Sequence, residues 1–146
     1  MLDETLTVGA SKYLPGEKEL VRQSDERVIC QSDGEEYLCH VFTIRRVENP
    51  DNMILGDITE TNYYADGIGP IHTVLSIGNK TRIYDLYEYT IKGGDGMIPC
   101  CVGNQWYYRQ KDCPDSIDQV IKREIISQNE EGYLLAGWNY AGRNPV

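Results

Sequence analysis

Asn62-Tyr63-Tyr64-Ala65-Asp66-Gly67-Ile68-Gly69-Pro70-Ile71 holds the strongest local signal in the chain. Two tyrosines run into a bend and an apolar segment leaves it, so the stretch reads as strand, corner, strand. Aromatic and β-branched residues fit a pleated, half-buried surface on both sides. Asp66-Gly67 permits positive φ, and Gly69 followed by Pro70 stops a helix from propagating through the bend. Gly67, Gly69 and Pro70 are therefore assigned to the structural turn.

Working outward, Tyr37 to Val47 alternates. Leu38, His40, Phe42 and Ile44 share one face, and Tyr37, Cys39, Val41 and Thr43 the other. With Val28-Ile29-Cys30 ahead of a Ser32-Asp33-Gly34 turn, this predicts a β-hairpin. Further upstream, Glu17 to Ile29 also admits a helical turn around Leu20 and Val21, and Thr5 to Val8 reads as a short edge strand. Glu48-Asn49-Pro50-Asp51-Asn52 is a polar surface connection, after which Met53 to Tyr64 resumes a β pattern.

Downstream of the corner, Ile71 to Ile77 alternates, Gly78-Asn79 marks a turn, and Thr81 to Ile91 is a further strand. Within it Ile83, Tyr87, Tyr89 and Ile91 are expected on one face, interrupted by Asp85. Lys92-Gly93-Gly94-Asp95-Gly96 is the clearest break, since three glycines in five residues sustain regular structure poorly. It is a possible subdivision of an otherwise single domain, 1–146. After it, Gly103-Asn104 signals a turn and Gln105 to Arg109 a strand.

Residues 116–127 carry a conflict. Ser116 with Gln119 forms a capping box, and Ile117, Val120, Ile121 and Ile125 fall at helical spacing. Those same residues are β-branched, and Asn129-Glu130-Glu131-Gly132 leads into Tyr133 to Trp138 as the return arm of a hairpin. The balance favours strand. The tail, Ala141 to Val146, is expected to lie loose on the surface. The fold class is mainly β: a strongly curved antiparallel sheet or half-barrel with at most one or two short helices.

Composition narrows the function. The chain has 146 residues and a formal charge of −9, from 23 acidic against 14 basic side chains. No basic cluster is dense enough to neutralise phosphates, so nucleic acid is not expected as a partner. A small molecule or a protein is, and a basic protein or a cation is electrostatically compatible. No apolar run reaches the length of a membrane span. Met1-Leu2-Asp3-Glu4 opens acidic where a signal peptide opens basic. That points to a cytoplasmic protein as written, or an extracytoplasmic one if Met1 begins a fragment. The aromatic residues are eleven Tyr, two Trp and one Phe, a skew that suits half-buried sheet faces.

Cys30, Cys39, Cys100, Cys101 and Cys113 are odd in number and contain no C-x-x-C pair, which favours reduced, mostly buried thiols. A Cys30–Cys39 bridge across the hairpin stays open. Asn79-Lys80-Thr81 matches a glycosylation sequon, relevant only to a secreted eukaryotic protein.

Chemistry is sparse. Nucleophilic catalysis needs a histidine, and only His40 and His72 are present, each at an ordinary strand position. Cys39-His40 with Cys100-Cys101 supplies zinc-type ligands, but adjacent strand residues point to opposite faces and chelate poorly. Glu35-Glu36 and Glu130-Glu131 sit beside turns, where solvated charge is normal, and nothing positions them as a glycosidase pair. No catalytic residue, metal ligand or cofactor is assigned. The aromatic groups Tyr63-Tyr64, Tyr84/Tyr87/Tyr89 and Trp106-Tyr107-Tyr108 remain; core packing is their ordinary role, and Tyr63, Tyr64, Tyr87, Trp106 and Tyr108 are the candidate ligand-binding set, should a curved sheet bring their faces together.

Two stretches carry a resemblance. Tyr63-Tyr64-Ala65-Asp66-Gly67-Ile68-Gly69-Pro70-Ile71 resembles the "Tyr-x-Ala-x-Gly-Val-Gly-x-Val" signature of uncharacterised β-rich proteins of Gram-positive bacteria, often lipoproteins. There it follows a strand similar to Glu36 to Val41. Ile98-Pro99 through Gly103-Asn104-Gln105-Trp106-Tyr107-Tyr108 is similar to the opening of the same kind of unit. The resemblance spans residues 30–110. It implies a strongly curved antiparallel sheet in which Gly67 and Gly69 serve the corner, and it brings no chemistry. The chain departs from the pattern in having no signal peptide or lipobox cysteine near its start.

Three functions are compatible with these readings. The first is a non-enzymatic binding or structural module; the second, a small β-barrel hydrolase or lyase; the third, an acidic inhibitor or immunity-type protein that caps a basic partner.

Overall fold

The computed structural model describes residues 6–49, 54–113 and 118–141, except Pro15, Glu17, Gln31, Glu130 and Glu131. Among the described residues nine strands form one antiparallel sheet in which each strand pairs with its neighbours in sequence. They are β1 (Ser11–Leu14), β2 (Lys18–Ile29), β3 (Glu36–Asn49), β4 (Ile54–Ala65), β5 (Gly69–Ile77), β6 (Lys80–Thr90), β7 (Gln105–Cys113), β8 (Asp118–Asn129) and β9 (Gly132–Ala141). The described residues contain no helix.

The meander follows from short-range turn chemistry. Between β2 and β3, Asp33 Oδ1 accepts from Glu35 N at 2.9 Å and Asp33 Oδ2 from the Tyr37 hydroxyl at 2.5 Å, closing the turn through one aspartate side chain. At the β4–β5 corner, Ile68 N donates to Ala65 O and Ala65 pairs with Gly69 across a three-residue loop. Gly67 takes φ +78° and Gly69 φ +114°.

Strand replaces helix wherever the two competed. Lys18 to Ile29 is one continuous strand, so the helical turn expected around Leu20 and Val21 does not form. Leu20 and Val21 instead pair with Ile44 and Thr43 of β3. In the 116–127 segment, β8 is strand from Asp118 onward, because its β-branched residues have β7 and β9 to pair with on either side. The edge strand expected at Thr5 to Val8 lies instead at Ser11–Leu14; Leu6 and Thr7 are irregular and Thr5 falls outside the described residues. Of the expected loose tail, Ala141 ends β9 and 142–146 lie outside the described residues.

The sheet is strongly curved and open: β1 and β9 each pair on one side only. Register shifts interrupt the β2–β3, β3–β4, β4–β5, β6–β7 and β8–β9 ladders. Each such bulge bends its strand and steepens the local twist. Two hydrogen bonds from β7 to the β4–β5 corner and the start of β5 report the curvature. The Trp106 indole Nε1 on β7 donates to Ile68 O at 2.6 Å, and the Tyr108 hydroxyl to Pro70 O at 2.8 Å. On a flat sheet β7 and β5 would stand about 10 Å apart with their side chains roughly perpendicular to the line between them; curvature turns the β7 side chains toward the β4–β5 corner.

The shift between Leu86 and Glu88 also corrects the expected face of β6. Tyr89 and Ile91 pack into the cluster containing Leu86 and Trp106. Tyr87 stays on the opposite face, its ring 6.3 Å from that of Tyr107. One extra residue turns the rest of the strand over.

The glycine-rich break does not interrupt the sheet, since β6 and β7 pair on either side of it. Residues 91–104 form a strap instead. Met97 enters a core of Leu14, Leu20, Phe42, Ile44 and Tyr64, and Gly67 N donates to Gly96 O at 2.9 Å. Asn104, fully buried, anchors both ends of the strap. Its Oδ1 accepts from Lys92 N at 2.7 Å and its Nδ2 donates to Gly93 O at 2.9 Å and Pro99 O at 2.7 Å.

None of the five cysteines is in a disulfide. Cys39 pairs with Glu26, whereas Cys30 bonds to Glu35 at the hairpin turn. That offset of four residues is about 13 Å along the strand, well beyond disulfide reach. Burial raises the Cys30 thiol and pushes Cys39 up to about 11, so both stay protonated at neutral pH. Native thiol labelling followed by mass spectrometry is expected to modify exposed Cys113 first and to leave Cys30 and Cys39 untouched until denaturant is added.

Arg82 and Asp112, cross-strand partners, form a two-pronged ion pair with Nε–Oδ1 2.7 Å and Nη2–Oδ2 2.8 Å. The Arg82 guanidinium holds the Asp112 carboxyl below the usual carboxylate range. A depressed folded-state value means that the pair stabilises the fold above the unfolded value near 4 and that this contribution is lost as pH falls below it. Asp112→Asn is expected to lower the urea midpoint at pH 7 and to leave a smaller difference from the wild type at pH 2–3. Equal deficits at both pH values would contradict the assignment.

Candidate functional site

Alternation sorts the aromatic side chains before any ligand is considered. On β7, Trp106, Tyr108, Gln110 and Asp112 are buried while Gln105, Tyr107, Arg109, Lys111 and Cys113 are not. Pairing carries the Trp106/Tyr108 face across the sheet: Tyr108 stands opposite Leu86, Thr73 opposite Tyr84, Asn62 opposite Thr73. The curvature folds this face inward.

The result is a pocket of about 170 Å³. Its walls are Glu60, Asn62 and Tyr64 of β4, Pro70, Thr73 and Leu75 of β5, and Tyr84 of β6. Trp106 and Tyr108 of β7, Arg123 of β8 and Ile98 of the strap complete it. β4 and β8 are four pairings apart, about 19 Å on a flat sheet, so only a rolled sheet lets them share a cavity this small. The volume is close to that of a buried cavity able to hold one benzene ring.

Three of the five expected ligand-binding residues, Tyr64, Trp106 and Tyr108, line this pocket. Tyr63 and Tyr87 do not. Tyr63 is next to Tyr64 on an extended strand and points the other way, its ring 5.2 Å from His72. Tyr87 lies under Arg109 and beside Tyr107. Tyr84, one of the wider aromatic groups, also lines the pocket, whereas Glu60, Asn62, Thr73, Leu75, Ile98 and Arg123 are not among the expected site residues. Tyr84 reaches the pocket because it alternates with Asp85 and shares a face with Leu86. The others depend on pairing and on the path of the strap, which no local pattern encodes.

Gly69 and Pro70 do more than turn the chain. A Cβ on Gly69 would stand 3.0 Å from Trp106 Nε1, so the corner needs glycine both for its φ and for the close approach of the indole. Pro70 supplies a pocket wall and the carbonyl that receives the Tyr108 hydroxyl. Burial raises the Tyr108 phenol well above its usual value, which keeps it neutral and donating.

Both histidines are engaged elsewhere. His72 Nδ1 is 2.6 Å from Asp85 Oδ1. Because neighbouring Thr73 faces the pocket, His72 faces away from it. His40 Nδ1 accepts from Arg22 Nη2 at 2.7 Å, and its Nε2 donates to Asp66 Oδ2 at 2.9 Å. Among the described residues no group of three or more His, Cys, Asp or Glu could hold a metal ion, and no helix is long and apolar enough to cross a membrane.

The fold and its pocket define a class: an open, curved antiparallel meander with an aromatic cavity on its inner face. No protein-family model matches the sequence, and no curated protein or solved structure is detectably similar to it.

Proposed function

We propose that this protein is a non-enzymatic small-ligand-binding module and that the pocket between β4 and β8 is its site. The observation that carries the reading is the convergence of Tyr64, Tyr84, Trp106 and Tyr108 from three strands on one small cavity with polar side chains at its edge. Apolar walls with a few placed polar groups are the usual composition of a ligand site. The reading extends to the setting suggested by the corner signature, a bacterial β-rich unit.

A hydrolase would draw on the His72–Asp85 pair, at 2.6 Å the shorter of the histidine–aspartate contacts. That pair lies across the sheet from the pocket, so a molecule bound against Tyr64 and Trp106 would not meet it. An acidic inhibitor would draw only on the charge of −9.

p-Cresol, a neutral single-ring probe, tests the reading. Ligand-observed NMR is expected to show saturable binding with Kd on the order of 1 mM, abolished by Leu75→Phe, which fills the cavity from one wall. Absence of saturable binding, or binding that Leu75→Phe leaves unchanged, would overturn the assignment.

A further inference from the structure

Four aromatic side chains, Tyr64, Tyr84, Trp106 and Tyr108, and one half-buried carboxylate, Glu60, border the same cavity of about 170 Å³. The polar ends of two of the rings are spent on the β4–β5 corner, the Trp106 indole N–H on Ile68 O and the Tyr108 hydroxyl on Pro70 O. What these rings offer an occupant is therefore carbon and π-electron density. One cation already uses it: the exposed Arg123 guanidinium stands 6.0 Å over the centroid of the Tyr108 ring.

Glu60 carries a charge that its surroundings leave uncompensated. Among the described residues it makes no ion pair or hydrogen bond. Its cross-strand neighbours are apolar on both sides, Ile44 on β3 and Leu75 on β5. The next residue in that row, Arg82, stands opposite Leu75 and is committed to Asp112. Arg123 lies at the solvent, where its charge is screened. Acceptors for an N–H donor are few besides the carboxylate. Ile68 O and Pro70 O are engaged as above, and Asn62 Oδ1 accepts from the Thr73 hydroxyl at 2.8 Å.

We infer that the pocket is an aromatic cage for a small methylated ammonium cation of the choline type, with Glu60 as its counter-ion; the inference rests on the binding reading above. A trimethylammonium group is about as bulky as the single benzene ring that a cavity of this size admits. It has no N–H to satisfy, and it spreads its charge over methyl groups that pack against ring carbons, the chemistry of aromatic cages. A primary ammonium would bring three donors to one carboxylate and leave the rest unpaired once out of water. An anion would meet the Glu60 charge within the same small space.

Ligand-observed NMR on the full chain tests this with choline, with p-cresol, and with 3,3-dimethylbutan-1-ol, which has the shape of choline with carbon in place of the charged nitrogen. Choline is expected to displace p-cresol and to bind about tenfold more tightly than the alcohol, the scale of a desolvated cation–π contact. Glu60→Gln should remove most of that preference while leaving binding of the alcohol unaffected, and Leu75→Phe should abolish binding of all three. Equal binding of choline and the alcohol would overturn the inference, as would a preference that Glu60→Gln leaves intact or choline binding that survives Leu75→Phe. In each of these cases p-cresol binding that Leu75→Phe abolishes keeps the pocket reading standing. If none of the three binds, both readings fall.

Discussion

Trp106→Ala is expected to cost about 3–5 kcal/mol, the range for removing a large buried aromatic from a core. Trp106 is 2% exposed, sits in the cluster with Leu86, Tyr108 and Ile125, and packs against the backbone of Gly69. Its indole N–H is also the link from β7 to the β4–β5 corner. Truncation therefore opens a cavity and leaves the Ile68 carbonyl without its donor, and the two losses add. Set against the 5–15 kcal/mol that holds a typical domain together, the variant would be barely folded at 25 °C. Trp106→Phe separates the two effects, keeping most of the volume and dropping the hydrogen bond, with an expected loss of about 1–3 kcal/mol. Urea unfolding curves for both variants are the measurement. Losses below 1 kcal/mol for both would mean that Trp106 does not brace the corner.

Asn104→Ala carries the second large effect, about 3 kcal/mol or more. The side chain is fully buried and spends its oxygen and its amide on Lys92 N, Gly93 O and Pro99 O. A methyl group replaces none of these bonds, and each backbone group left unsatisfied in the interior costs about 1–3 kcal/mol. Asn104→Asp distinguishes hydrogen bonding from volume: the carboxylate keeps the acceptor, loses both amide donors and adds a buried charge, so it should be at least as damaging as alanine. Because the strap places Met97 in the core and Ile98 in the pocket wall, loss of this anchor should also weaken binding of p-cresol. Destabilisation confined to alanine, with aspartate tolerated, would contradict the hydrogen-bond account.

How much of this was legible in the sequence depends on the range of the signal. The corner was: aromatic strand residues, an Asp-Gly step and the Gly69-Pro70 pair constrain the same few dihedral angles. The strands of the middle of the chain were legible from alternation, and β8 from its β-branched residues despite a capping box. Bulges were not. Nothing in Leu86-Tyr87-Glu88 marks the extra residue that puts Tyr87 and Tyr89 on different faces, because a bulge arises from the fit of one strand to its partner. The candidate site divided along the same line. Tyr64, Trp106 and Tyr108 could be proposed from composition, whereas Tyr63 was misplaced by the assumption that neighbouring tyrosines act together. Glu60 and Arg123 are ordinary surface charges in sequence, and they share a cavity only because β4 and β8 are rolled toward each other.

The pocket, the docking of the strap and the burial of Trp106 all depend on the curvature of the sheet. Hydrogen exchange of the Trp106 indole N–H, read by NMR with nuclear Overhauser contacts, tests it most directly. A rolled sheet predicts a protected proton with contacts to Ile68 and Gly69, two strands away in the ladder. A proton that exchanges as fast as a free indole, with contacts only to its β6 and β8 neighbours, would mean that the sheet is flat there and that the pocket does not exist.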